Sequence, residues 1–226
     1  MYFCAVKKEL VETADGSKTL YIPDLEEHYH SIHGALSEAK HVFVKHGLKS
    51  VSKTKISILE MGFGTGLNAF LTCLENRKLH KEITYTALEA YPVNLDLVNE
   101  MGYIGLTGLE NEEAFFQQMH QCSWTDTHMI GQCFKLQKIE STIQNVVFQN
   151  TFDLVYYDAF APRVQPELWT EDIFTKIFSA MNVGAVLVTY CAKGSVKRAL
   201  KAVGFEIESL EGPPGKREMT RAKKTK

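Results

Sequence analysis

The sequence predicts an α/β fold: a mostly parallel sheet with helices on both faces. Three observations carry that expectation. Through the centre of the chain, short apolar runs alternate with longer segments at helical spacing. One run, KISILEMG at 55–62, stops at a glycine, as a strand buried on both faces does. The last two apolar runs follow one another with no helix between them, so they should form an antiparallel pair at the sheet edge.

Taken in order, residues 2–21 read as a hairpin, because apolar stretches flank the turn dipeptide Asp15-Gly16. Residues 26–48 begin polar and rich in histidine. Ala35, Leu36, Ala39, Val42 and Phe43 then fall at helical spacing. After the strand at 55–62 comes an amphipathic helix over 64–79, a strand over 82–90 and a helix over 91–103. A less regular middle leads to a strand at 133–137, a short helix at 139–146 and a strand, FDLVYYDAF, at 152–160. A helix over 166–182 has its start at Pro166, with Phe174, Ile177 and Phe178 as core residues. A strand at 184–191 and a helix at 195–204, closed by Gly204, follow. Residues 205–212 and 217–224 are the final strands, joined by the turn Gly212-Pro213-Pro214-Gly215.

With 226 residues the chain suits one large domain, able to bury a full core without disulfides or metal. Residues 1–50 read as an N-terminal hairpin and helix extension packed on a Rossmann-like domain of residues 51–226. The five cysteines are scattered and form no CxxC pair, which argues against a disulfide framework or a zinc site. His28, His30, His33, His41 and His46 match no zinc spacing either, so no metal is expected. The N-terminus turns charged too early for a signal peptide, and no apolar stretch is long enough to span a bilayer. The expectation is a cytoplasmic protein. Its net charge of −2 gives no global footprint for nucleic acid. Basic residues do gather late: Lys193, Lys197, Arg198 and Lys201, then Lys216, Arg217, Arg221, Lys223, Lys224 and Lys226.

The strongest local signal is Glu60-Met61-Gly62-Phe63-Gly64-Thr65-Gly66-Leu67-Asn68, where an apolar strand meets a helix. Glycines there let a ligand approach backbone N–H groups closely. The run lacks the Gly-Lys-Ser/Thr ending of a P-loop and departs from GxGxxG spacing. A carboxylate just before the first glycine repels a pyrophosphate but suits a ligand with a positive amino group. Glu89 ends the next strand, where a carboxylate can accept both hydroxyls of a ribose. Together these describe a nucleoside with a cationic amino-acid tail and no phosphates, which S-adenosyl-L-methionine fits. Asp158 ends the strand at 152–160, in the position where such sheets place ligands. It could hold an amine nucleophile or accept its proton.

Several of these motifs, in this order, resemble the MnmC/MnmD methyltransferases. They are EMGFGTGLN, the run Asp158-Ala159-Phe160-Ala161-Pro162 with Pro166-Glu167-Leu168-Trp169, and the closing Gly215-Lys216-Arg217-Glu218-Met219. Tyr29-His30-Ser31, Gly34-Ala35, Glu38 and His41-Val42-Phe43 resemble the family too, so the likeness covers nearly the whole chain. It implies a class I SAM-dependent methyltransferase, Rossmann-like, acting on tRNA. Such enzymes convert 5-aminomethyl(-2-thio)uridine at the wobble position to 5-methylaminomethyl(-2-thio)uridine. By this resemblance, Glu60, Gly62, Phe63, Gly64, Gly66 and Asn68 line the methionine moiety and Glu89 holds the ribose. Glu140 stands where members carry a Gly-Asp near the adenine. Asp158 lies between cofactor and amine, as the catalytic residue. Phe160 and Pro162 shape the target pocket, Lys216, Arg217 and Glu218 meet the substrate, and Tyr29, Ser31 and Glu38 close over the cofactor. Two-domain members also carry a flavin-dependent oxidase, so the expectation here is methyl transfer alone, with upstream tRNA-modifying enzymes supplying the aminomethyl group. Competing readings are a spermidine synthase-like aminopropyltransferase, a small-molecule amine methyltransferase, and a non-catalytic RNA-binding module.

Overall fold

In the computed structural model, residues 7–105 and 112–226 are described. A hairpin of β1 (Glu9–Glu12) and β2 (Lys18–Ile22) is followed by a third short strand, β3 (Glu27–His28). The hairpin pairs in the register that the Asp15-Gly16 turn implies, with Thr13 N–H donating to Ser17 O at 2.7 Å. Helix α1 (Ala35–Ala39) runs straight into a π-helical turn over 40–45. The main sheet follows as β4 (Lys55–Met61), α2 (Leu67–Leu79), β5 (Glu82–Glu89), α3 (Leu95–Glu100), α4 (Glu112–Gln121), β6 (Thr127–Met129), β7 (Phe134–Glu140) and β8 (Phe152–Tyr157). Then come α5 (Glu171–Ser179), β9 (Met181–Thr189), α6 (Gly194–Val203), β10 (Phe205–Glu211) and β11 (Glu218–Lys224).

The eight strands lie in the order β10-β11-β9-β8-β4-β5-β7-β6. Strands β7, β5, β4, β8 and β9 are parallel neighbours, and the chain order reverses across the β4–β8 pair. Every residue of β8 is buried, as a strand covered on both faces must be. The fold is therefore the mostly parallel α/β sheet that the alternation predicts.

The last two strands form the antiparallel pair expected at the sheet edge: β11 lies between β9 and β10, antiparallel to both, so β10 is the edge strand. Four details depart from the sequence expectation. Helix α2 is not amphipathic: Leu67 through Leu74 are all buried, because the turn at 40–45 and α4 pack over the side that would otherwise face water. Residues 139–146 form no helix. Strand β7 runs on to Glu140, and a turn at Thr142 drops Ile143 and Val146 into the core beside Leu59 and Leu88. The segment 166–182 splits, since Thr170 caps α5 with its side-chain oxygen after a single 3-10 turn at Pro166–Trp169. Strands β3 and β6 carry no sequence signal, being two and three residues long. The first six residues of the expected hairpin lie outside the described residues.

Leu20, Ala35, Val42 and Phe43 share one continuous core with Ile58, Phe70 and Tyr85 of the main sheet layer. Residues before β4 are thus packed on the side of the sheet that carries α2, and their loops reach the carboxyl ends of the strands.

Candidate functional site

A cavity of about 570 Å³ opens at the carboxyl ends of β4, β5, β7 and β8. That is the crevice where open α/β sheets bind ligands, and its size suits a nucleoside-sized molecule. Its floor is the glycine turn after β4. Gly62 and Gly64 have φ of 87° and 53°, in the left-handed region that a side chain strains. A Cβ on Gly62 would lie 3.0 Å from the Asp158 carbonyl oxygen, and one on Gly64 would lie 3.3 Å from the Tyr29 ring. Backbone and ring approach closely enough that a side chain here would be tight as well as strained.

Glu89, at the end of β5, is clamped by backbone. Its Oε2 accepts from Gly64 N–H at 2.9 Å and its Oε1 from Tyr91 N–H at 2.8 Å. Burial pushes its carboxyl above the usual range, and those N–H groups oppose the shift. Glu60, within β4, is wholly buried, and neither carboxyl oxygen has a partner at hydrogen-bond geometry. Burial first, then the Asp158 charge, holds its carboxyl well above the usual range. Burying that carboxyl in its ionised form without a cationic partner would cost several kcal/mol, roughly, so its neutral form is favoured behind the cavity floor.

Asp158 follows β8 and faces the cavity. Asn68, in the first turn of α2, donates Nδ2–H to its Oδ2 at 2.8 Å. Burial and then the nearby Glu38 charge push the Asp158 carboxyl up to about 7, against the pull of Asn68 and Lys216. The loop after it is pinned from three sides. Tyr190 O–H donates to Ala159 O at 2.8 Å, Trp169 Nε1–H donates to Phe160 O at 2.8 Å, and Tyr157 O–H donates to Leu168 O. Phe160 meets Tyr29 edge to face with centroids 5.1 Å apart, forming an aromatic wall.

Glu38, on α1, reaches across to Lys216 of the β10–β11 turn as an ion pair, and accepts from Ser31 N–H at 3.1 Å. Lys216 Nζ lies 4.0 Å over the Tyr190 ring. Tyr29, Ser31 and Glu38 all line the cavity, so the segment before β4 supplies one wall.

Of the residues singled out in the sequence, Gly62, Phe63, Gly64, Asn68, Glu89, Asp158, Phe160 and Lys216 line the cavity. Glu60 and Gly66 stand behind the floor, buried, with Gly66 packed against the His120 ring. Four others lie outside it. Glu140 is exposed at the end of β7, opposite Glu89 in register, and the residues after it, Ser141 to Gln144, line the cavity in its place. Pro162 turns out of the lining while its neighbours Ala161 and Arg163 stay in it. Arg217 is exposed on an outer groove, in the turn just before β11. Glu218 pairs with Lys197 at 2.9 Å. The late basic residues also divide: Lys197, Arg221 and Lys224 are tied to Glu218, Glu208 and backbone carbonyls, while Lys193, Arg198, Lys201, Arg217 and Lys223 are exposed.

Sequence reasoning passed over Tyr190. It sits just past the carboxyl end of β9, so the strand-end rule that selected Asp158 would have selected it as well. Leu88 and Ile143 supply apolar lining that carries no motif. Among the described residues, no three His, Cys, Asp or Glu side chains gather as a metal site, and no helix is long and apolar enough to cross a membrane.

A family model described as S-adenosyl-L-methionine-dependent methyltransferase matches residues 112–225. The tRNA 5-methylaminomethyl-2-thiouridine biosynthesis bifunctional protein MnmC of Cupriavidus metallidurans is 30% identical over 220 residues, spanning 91% of this chain and 32% of that protein. The protein of the same name from Hydrogenovibrio crunogenus is 26% identical over 204 residues, spanning 84% and 30%. The chain thus spans about a third of the length of these curated relatives. A crystal structure of MNMC2 from Aquifex aeolicus superposes with a TM-score of 0.75 at 26% identity, covering 96% of this chain and 70% of that one. A probable spermidine synthase from Corynebacterium glutamicum superposes with a TM-score of 0.57 at 13% identity, over 98% and 78%, a likeness of fold alone.

Proposed function

Because this chain belongs to the S-adenosyl-L-methionine-dependent methyltransferases, we propose that it methylates the primary amine of 5-aminomethyl(-2-thio)uridine at the wobble position of tRNA. The observation that carries this reading is the acceptor end of the cavity. Asp158, Glu38 and the aromatic wall of Phe160 and Tyr29 make a site that suits a flat base bearing a cationic alkylamine. The relatives named for 5-methylaminomethyl-2-thiouridine biosynthesis fit the same chemistry.

The cavity fits the cofactor at each end. Glu60 stands buried just behind the glycine floor, and an amino-acid ammonium in the cavity would favour its ionised form. Glu89 is positioned for a ribose diol, and the glycine turn admits close approach of a ligand to backbone. Leu88, Ile143 and the turn at 141–144 offer an apolar slot for the adenine, the part assigned in sequence to Glu140. When bound, S-adenosyl-L-methionine supplies a methyl group already activated by its sulfonium, so the protein's main task is placement.

The acceptor amine must lose a proton before it can attack. Asp158, at about 7, can hold an N–H and take that proton near neutral pH, where a carboxyl of ordinary acidity is a poor base. Asn68 fixes its orientation. Residues 1–50 act as an N-terminal extension on a methyltransferase domain of residues 51–226, and lend Tyr29 and Glu38 to the acceptor site. Exposed Arg217, Lys193, Arg198 and Lys201 supply local phosphate contacts despite a net charge of −2. Upstream tRNA-modifying enzymes provide the aminomethyl group, and the protein works in the cytoplasm.

The test is incubation with methyl-labelled S-adenosyl-L-methionine and tRNA lacking the final methyl, followed by nucleoside analysis. Label in 5-methylaminomethyl(-2-thio)uridine is expected, and binding should weaken as salt rises. Label confined to a polyamine or another small amine would replace this reading.

A further inference from the structure

Lys216 lines two hollows at once. It is part of the inner cavity, and it also borders a groove on the outer surface with His41, Lys45 and Arg217. Its ammonium lies in a box. Glu38 grips it as an ion pair, the Tyr190 ring lies 4.0 Å beneath it, and Asp158, whose charge Lys216 favours, lines the same cavity. The Glu38 side chain is 8% exposed against 31% for Lys216, so the carboxylate is a fixture of the wall and the lysine reaches in from outside.

A carboxylate facing an aromatic ring is the recognition chemistry of an alkylammonium. Lys216 ends in a primary amine on a methylene, the same group that a 5-aminomethyl base carries. Resting on the function proposed above, we propose that Glu38, Tyr190 and Asp158 form the seat of the acceptor's primary ammonium, and that Lys216 occupies this seat in the free chain as an internal stand-in.

The exchange preserves charge. One ammonium leaves as another enters, so neither carboxylate is left buried and unpaired. The displaced Lys216 has somewhere to go, since it already borders the outer groove beside Arg217. The turn Gly212-Pro213-Pro214-Gly215 stays anchored meanwhile. Gly212 N–H donates to Arg217 O at 3.1 Å, and Gly215 packs so tightly on the His33 ring that a Cβ would lie 2.1 Å from it. Only the Lys216 side chain needs to swing.

Propylammonium, which has the reacting group and no base, is the probe. It is titrated at constant ionic strength into the wild-type chain and into Lys216→Met, both holding S-adenosylhomocysteine, with binding read by calorimetry. If Lys216 fills the seat nine-tenths of the time or more, Lys216→Met should bind propylammonium at least tenfold tighter, since apparent affinity scales with the vacant fraction. Adding Glu38→Gln to that variant should remove the gain. Equal affinity in wild type and Lys216→Met, or a gain that survives Glu38→Gln, overturns the proposal. A second measurement needs no variant. In wild type carrying 15N-lysine, the ammonium signal of the ion-paired Lys216 should shift with propylammonium while other lysines stay put, and a stationary signal at saturation counts against the seat. None of these readouts requires turnover. Failure here with wobble methylation intact would therefore sink this inference alone, whereas failure of methylation would sink the function and, with it, the assignment of the seat to the acceptor.

Discussion

Asn68 Nδ2 lies 2.8 Å from Asp158 Oδ2, joining the first turn of α2 to the loop after β8. The same amide keeps its Oδ1 buried without a partner. An orphaned acceptor of this kind costs about 1–3 kcal/mol, so the geometry is held for the contact that the donor makes.

Removing that contact should be visible in the pH profile. Asn68→Ala takes away a donor that favours the charged form of Asp158, so the acidic limb of turnover should move to higher pH. Asp158→Asn should cut turnover by ~10²-fold or more, with a much smaller change in cofactor affinity. Unchanged turnover in Asp158→Asn would remove it from the chemistry.

Stability should move the opposite way. The Asp158 carboxyl titrates at about 7 in the fold against 3.8 for an unperturbed group. Between these values the folded chain keeps a proton that the unfolded chain has lost. Its contribution is therefore full below pH 4 and is lost as pH rises to 7. The loss is at most roughly 4 kcal/mol, at 1.36 kcal/mol per unit. In thermal melts of the ligand-free protein, Asp158→Asn should gain on wild type as pH rises from 5 to 8. Parallel curves would mean that the carboxyl is not perturbed.

Cofactor binding should tighten over the same range. A cationic ligand favours ionised Asp158, so its binding expels protons near neutral pH. Calorimetry of S-adenosyl-L-methionine in buffers of different ionisation heat should show net proton release at pH 6 that shrinks towards pH 8. Proton uptake would reverse the electrostatic picture.

At the glycine turn, Gly62→Ala should fail twice. Its φ of 87° strains any side chain by ~1–2 kcal/mol, and the new methyl would sit 3.0 Å from the Asp158 carbonyl oxygen. A lower melting temperature and a cofactor dissociation constant raised at least tenfold are expected. Gly184, with φ of 83° and open space around it, is the control: alanine there should cost strain and leave cofactor binding intact.

What was legible in the sequence was whatever depends on local chemistry. Glycines at 62 and 64 announce a left-handed turn, and Glu89 and Asp158 are found by the rule that strand ends face the ligand. What escaped depends on packing or pairing between distant segments. Leu67 to Leu74 show helical spacing, but no local pattern says that the residues at 40–45 will cover their outer face. Glu140 resembles a strand-end ligand in register with Glu89, yet β7 carries it to the exposed rim. Tyr190 matters because Lys216, 26 residues later, folds back over its ring. The order of β10 and β11 cannot be read from two successive apolar runs, since a strand pair can dock by either member.

That docking order bears on how the chain is made. A ribosome releases β10 before β11, yet β11 is the strand that joins β10 to β9. Until residue 224 has emerged, β9 carries an open edge and β10 has no place in the sheet. Vectorial synthesis thus leaves the open edge of the apolar strand β9 exposed to other nascent chains until β11 follows. The same pairing brings Lys216 to Glu38, so a chain stalled before β11 would display an open sheet edge and lack the Glu38–Lys216 ion pair together, two signs of one defect.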